Sequence, residues 1–256
     1  MPETDFSDVT EVPGLAVSRV QLARTYHRYE FAREHVRGAV LELACGAGQG
    51  LAYLARAADR VVGGDRTAAN IDLARVAHGA RFPLLLLDAC RLPFADASFD
   101  SVVLLEALYY LPDADGAVAE CARVLRHDGR LVVSSVNCAW PDFGRSIHST
   151  RYYTSREIGE LLARHGFGPS LYGAFAEATG PVARARSMVR RLALRLGLVP
   201  GSLRAKALLK RFFYGPLLRQ PARLDDGAAS GERADPIRAD DVDTRHSILY
   251  AVGVRA

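Results

Sequence analysis

The residues best placed to do chemistry fall in one stretch, Glu42-Leu-Ala-Cys-Gly46-Ala-Gly48-Gln-Gly50, directly after the apolar run AVLEL (39–43). Glycines between a strand and a helix let a ligand approach the backbone and turn helix-terminal N–H groups toward it. The spacing narrows the choice. A dinucleotide turn wants GxGxxG, and the place of the third glycine is held by Leu51. No GK[ST] follows, which excludes a phosphate-cradling P-loop. Asp65 ends the next apolar run, seventeen residues beyond Gly48, where a carboxylate can accept both hydroxyl hydrogens of a ribose. A helix-capping aspartate is the plainer alternative for Asp65, as a simple tight turn is for the glycines. Asp88-Ala89-Cys90 ends a third run, at a place suited to an adenine amino group, and LPFADASFD (92–100) leads into a fourth that closes on Glu106.

Such residues act together only if a scaffold gathers strand ends along one edge. The chain alternates accordingly. Strands are expected at 39–43, 60–65, 84–88, 99–108 and 130–136, with helices at 51–58, 67–78 and 113–125 between them. Thr67 is the expected N-cap of the second of these helices. Before them, residues 16–37 read as a helix ended by Gly38. After them come a loop, a helix opened by the capping box TSRE (Thr154 to Glu157), a strand at 169–175 and a last strand at 247–254. Strands and helices in alternation mean a parallel sheet covered on both faces.

The 256 residues are 49% hydrophobic, enough for a substantial core. No run of about 18 apolar residues exists to span a bilayer. The first residues are acidic and lack the order of a secretory signal. Cys45, Cys90, Cys121 and Cys138 lie far apart without CxxC pairing, so a reducing cytoplasm is the expected location. No metal pattern stands out: Asp113 and Asp115 read as helix-start acids, and Asp240, Asp241 and Asp243 as a solvated loop. The net charge of +4 hides an asymmetry. Residues 178–224 hold eleven Lys or Arg and no acid, whereas 225–243 hold seven acids and two arginines.

Taken together, ELACGAG, GGD (63–65), DAC (88–90), LPFADASFD and LRHDGRLVVSSVN (125–137) resemble the class I, Rossmann-like S-adenosylmethionine-dependent methyltransferases, in particular their broad type-11 group. The resemblance runs from about residue 26 to 167. Ala44 departs from it, standing where the family often has glycine. It implies an α/β fold: a seven-stranded sheet with helices on both faces, an N-terminal helical cap (1–37), a cofactor-binding core (38–176), a basic helical insert or lid (177–245) and a last core strand (246–256). It further implies S-adenosyl-L-methionine as cofactor and S-adenosyl-L-homocysteine as product. Ala44, Gly46 and Gly48 would hold the methionine part, Glu42 would orient its ammonium through water, and Asp65 would take the ribose. Asp88 and Ala89 would meet the adenine, with Arg66 stacked on it. Glu106 would border the methionine end, and Tyr29, with Tyr26, would close over the cofactor from the N-terminal helix.

Methyl transfer from a sulfonium needs an aligned nucleophile and often a base to take its proton. His148, in the loop after the fifth strand, is the expected base, since an imidazole titrates near neutrality. Tyr110 and Asn137 are the other catalytic candidates, Tyr152 and Tyr153 further pocket residues, and His27 a rival base. A nucleic-acid substrate is not expected. The chain reads EALYYLPD where amino methylation of bases usually goes with [DNS]-P-P-[YFW], and the basic stretch lacks interleaved stacking aromatics. The expected reaction is O- or N-methylation of a small natural product or a saccharide, as in antibiotic and other secondary-metabolite tailoring. Three alternatives stay open: a lipid-linked or phosphate-bearing substrate met at a membrane surface by the basic insert, a non-catalytic partner protein, and, disfavoured by the missing glycine, an NAD-dependent oxidoreductase. Oligomeric state is not legible.

Overall fold

The structure is a computed structural model and describes residues 10–146, 148–176, 216–224 and 231–256. A short strand β1 (Ala16–Val17) precedes helix α1 (Arg19–His35), which opens on a complete capping box between Ser18 and Gln21. The alternating core follows: β2 (Ala39–Leu43), α2 (Leu51–Leu54), β3 (Arg60–Asp65), α3 (Ala68–His78), β4 (Leu84–Leu86), β5 (Phe99–Leu105), α4 (Ala114–Val124) and β6 (Leu125–Val136). Helix α5 (Ser155–Arg164) starts at the Thr154–Glu157 capping box as expected. Then come β7 (Phe167–Ala176), β8 (Leu218–Arg219), β9 (Asp235–Ile237) and β10 (His246–Arg255).

The main sheet runs β4-β3-β2-β5-β6-β10-β7-β9. Strands β2 to β6 pair in parallel, and β10 lies antiparallel between β6 and β7. That makes eight strands rather than the expected seven, because Leu171–Gly173 of β7 pairs antiparallel with β9. Alternation sorts the side chains between two cores. Leu41, Leu43, Val102, Leu104, Leu131 and Val133 face α4 and α5, whereas Val40, Val61, Val103 and Val132 face α1, α2 and α3. With both faces covered, these strands are apolar almost throughout, which is why they read as unbroken runs.

Some expectations shift. Helix α2 is one turn, ending at Leu54 rather than near 58, and β4 stops at Leu86 rather than 88. Thr67 occupies the N-cap of α3, but its side chain makes no cap hydrogen bond; its N–H instead donates to Asp65. Of the insert expected at 177–245, residues 177–215 and 225–230 lie outside the described residues. Its described parts are not helical. They contribute β9 and also β8, which pairs with β1. Among the described residues no helix is long and apolar enough to cross a membrane, and no group of three or more His, Cys, Asp or Glu is placed to hold a metal ion.

Candidate cofactor and acceptor site

The turn after β2 reverses the chain within a few residues. Ala44, Gly46 and Gly48 all adopt positive φ, at 54°, 55° and 73°. Glycine enters that region without steric cost, whereas alanine is strained there by its Cβ. The strain explains why glycine suits position 44, and why Ala44 is a cost borne by this chain. Gly50 is required for another reason. A Cβ there would lie 1.8 Å from Cε1 of Tyr29, whose ring covers the turn.

Asp65, at the end of β3, ties the turn to the next element. Its Oδ2 accepts from the Gly46 N–H at 2.8 Å, and its Oδ1 accepts from the Thr67 N–H at 2.8 Å and from Asn70 Nδ2 at 3.2 Å. A carboxylate oxygen takes two donors, so Oδ2 keeps capacity for a ligand hydroxyl. Asp88 is exposed after β4, and its Oδ1 accepts from the Cys90 N–H at 2.9 Å. Both aspartates, with Ala44, Gly46, Arg66, Ala89, Glu106, Tyr29 and Tyr110, line one cavity of about 350 Å³, a size within the range of small-molecule clefts.

Behind the turn, Glu42 is buried and accepts from the Tyr29 hydroxyl at 2.7 Å, while its Oε2 has no partner. Burial pushes its carboxyl up to about 7, against the lowering effects of the Tyr29 hydroxyl and the Arg28 charge. Glu106 follows β5 with φ at 54°, its carboxylate accepting from Tyr109 at 3.0 Å and from Ser134 at 3.1 Å. Burial raises its pKa as well, opposed first by Arg28. Tyr110 reaches Ser146 Oγ at 2.8 Å, and burial lifts its phenol.

Helix α1 supplies a wall that sequence reasoning missed. Gln21, Arg24 and Arg28 follow a helical spacing onto one face and line the cavity. Arg28 pairs with Glu11 at 2.5 Å; burial works against its charge, but Glu11 more than compensates and its pKa moves up. Arg24 donates to Ser247 at 2.7 Å, and its guanidinium lies 5.9 Å from the Trp140 ring centre and 5.5 Å from that of Phe175. Thr10 and Glu11 reach across from the segment before β1, and Gln49 donates to the Pro221 carbonyl at 2.7 Å. The spacing of 21, 24 and 28 was a usable signal. Nothing local marks Thr10, Glu11 or Asn70 as cavity residues.

Two catalytic expectations fail on position. Asn137 is fully buried away from the cavity, and all its amide atoms are occupied: Nδ2 donates to the Asp243 and His246 carbonyls, both at 2.8 Å, and Oδ1 accepts from the Ala139 N–H. It holds the turn before β10 rather than a substrate. His148 is exposed, with φ at 63°, and is not part of the cavity wall. The rival His27 is buried against the Tyr250 hydroxyl at 2.7 Å, also off the wall. Glu42 and Gly48 stand one layer behind the cavity surface rather than on it. Tyr110 alone of the three catalytic candidates lines the cavity.

These residues fit a nucleoside joined to a charged amino acid. Asp65 and Asp88 stand on the cavity wall, the glycine turn allows close approach, and a buried Glu42 oxygen behind the turn has no partner. Comparison with known proteins agrees. Residues 41–133 match the "Methyltransferase domain" family, Methyltransf_11. A protein of Mycolicibacterium smegmatis, named as a probable S-adenosylmethionine-dependent methyltransferase, is 36% identical over 61% of this chain and 62% of its own. The O-methyltransferase cnsE of Penicillium expansum is 35% identical over 38% of this chain and 37% of its own. The chain thus spans less than two thirds of either relative. The crystal structure of a SAM-dependent methyltransferase from Thermotoga maritima superposes with a TM-score of 0.59 over 92% of both chains at 14% identity, a likeness of fold. Over residues 41–133 the chain is thus similar to S-adenosylmethionine-dependent methyltransferases in sequence, and it shares their fold.

Proposed function

We propose that the protein transfers a methyl group from S-adenosyl-L-methionine to an oxygen or nitrogen atom of a small molecule, a natural product or a saccharide. One observation carries this reading: the cavity wall runs from the glycine turn, Asp65 and Asp88 past Glu106 to Tyr109, Tyr110, Val136 and Ile248, where an acceptor would meet the cofactor. The name of the Penicillium relative, an O-methyltransferase, favours oxygen. In this reading residues 38–176 and 246–256 form the cofactor-binding core, capped by 1–37, and 177–245 belongs to acceptor selection.

When bound, the cofactor supplies an electrophilic methyl group on a sulfonium. Asp65 would accept from the ribose hydroxyls, Asp88 and Ala89 would meet the adenine edge, and Arg66 would stack on it. Glu42 would attract the ammonium through water, and Arg28, on the cavity wall, would face the methionine carboxylate. Tyr109 and Tyr110 lie where the acceptor enters, and Tyr110, joined to Ser146, orients the attacking atom. Displacement needs alignment above all.

Calorimetric titration with S-adenosylmethionine, S-adenosylhomocysteine and NAD, beside Asp65→Ala, tests the reading. Micromolar binding of both sulfur compounds, lost in the variant, supports it and opens an acceptor screen with a labelled methyl donor. Binding of NAD with silence from both sulfur compounds would sink it.

A further inference from the structure

One face of α3 carries Asn70, Ala74 and His78, spaced four residues apart and all buried against the cofactor turn. Ala74 sits where a Gly48 Cβ would be only 2.9 Å away, so helix and turn are in direct contact. A buried helix stripe of this kind is ordinarily apolar from end to end. Here its two ends are polar, and each grips a different part of the turn. Asn70 Nδ2 donates to Asp65 Oδ1 at 3.2 Å and to Thr10 Oγ1 at 3.1 Å. His78 Nε2 lies 2.8 Å from the Gly48 carbonyl. Both orientations are dictated by their partners. A carboxylate and a carbonyl only accept, so Asn70 turns its amide nitrogen to Asp65, and His78 carries its proton on Nε2.

This arrangement leaves Asn70 Oδ1 and His78 Nδ1 buried with no partner. An orphaned buried acceptor costs stability, which offsets part of what the hydrogen bonds of these two side chains contribute. Each residue nonetheless holds one strategic point of the turn.

We propose that Asn70 and His78 are positioning residues that set the cofactor turn, Asn70 from the cavity wall through Asp65 and His78 from behind through Gly48. This rests on the reading of the cavity as an S-adenosylmethionine site. It assigns to α3 the registration of the whole turn: Asp65 in turn fixes the Gly46 amide, and Gly48 fixes the approach of Gln49 to the cavity. His78 stays neutral in this role, since burial lowers its pKa and a proton on Nδ1 would meet no acceptor.

The test uses Asn70→Leu and His78→Phe, with His78→Gln retaining a donor, each measured for unfolding without ligand and for S-adenosylhomocysteine affinity. Expected are folded apolar variants that bind S-adenosylhomocysteine about tenfold more weakly, roughly the worth of a lost hydrogen bond, with His78→Gln close to the parent. Recovery by a donor of different shape separates positioning from core packing. Unchanged affinity, a His78→Gln as weak as His78→Phe, or variants that fail to fold would make the two residues ordinary core and overturn the inference. A parent protein that binds no S-adenosylhomocysteine would instead fail the reading of the cavity itself.

Discussion

Replacing Glu42 by glutamine should change how stability depends on pH, by an amount the structure sets. The carboxyl rises from 4.5 to about 7 because it is buried, while a glutamate in the unfolded chain titrates at its ordinary value. Below the unfolded pKa both states are protonated and Glu42 contributes no slope. Between the two values the folded protein keeps a proton that the unfolded chain has released, so stability falls as pH rises. Above about 7 the whole penalty is present. A shift of that size corresponds to about 3 kcal/mol. Glutamine keeps an acceptor for the Tyr29 hydroxyl and does not ionise, so any cost of its buried NH₂ is the same at every pH. Glu106 titrates alike in both proteins. Urea unfolding from about pH 5 to about pH 8.5 should show the difference between Glu42→Gln and the parent grow in favour of glutamine by two to three kcal/mol (roughly) toward high pH. Parallel pH profiles for the two proteins would refute the reasoning, since they would mean that Glu42 ionises in the fold as easily as in the unfolded chain.

Four further outcomes are expected. Ala44→Gly relieves a positive-φ alanine and should raise stability by about 1 kcal/mol in urea unfolding, with S-adenosylhomocysteine affinity kept. Gly50→Ala drives a methyl into the Tyr29 ring and should cost about 3 kcal/mol, with a parallel loss of affinity as Tyr29 leaves Glu42, read by unfolding and calorimetry on the same sample. Asn137→Ala should lower stability by about 3 kcal/mol by stripping buried carbonyls of their donor. His148→Ala, at an exposed position, should stay within about 0.5 kcal/mol of the parent, and neither of these last two should change cofactor affinity.

The strand-end part of the cavity wall was readable because parallel strands place their carboxyl ends along one edge. The turn at 42–50, Asp65 and Asp88 each follow an apolar run, and a reader needs only to find where each run stops. The rest lacks that grammar. Asn137 follows a strand end too, yet its amide is claimed by carbonyls at 243 and 246, more than a hundred residues away. His246, the first residue of β10, is buried between Asp243 at 3.1 Å and Asp235 at 3.2 Å, a pairing visible only once β9 and β10 are placed. Glu11 joins the wall through Arg28 and Thr25, contacts made across the N-terminal segment with no periodic trace. His78 reads as a helix-surface histidine, because only the packed turn shows which way α3 faces.

The chain contains one tryptophan, Trp140, and it sits beside the Arg24 guanidinium that helps to form the cavity wall. The protein thus carries a single indole, placed beside Arg24 on the cavity wall rather than at Asp65 or Asp88. A change in its emission marks events around Arg24, separable from occupancy of the nucleoside end. Candidate acceptors can then be sorted by colour and intensity, without labels, before any product has been identified.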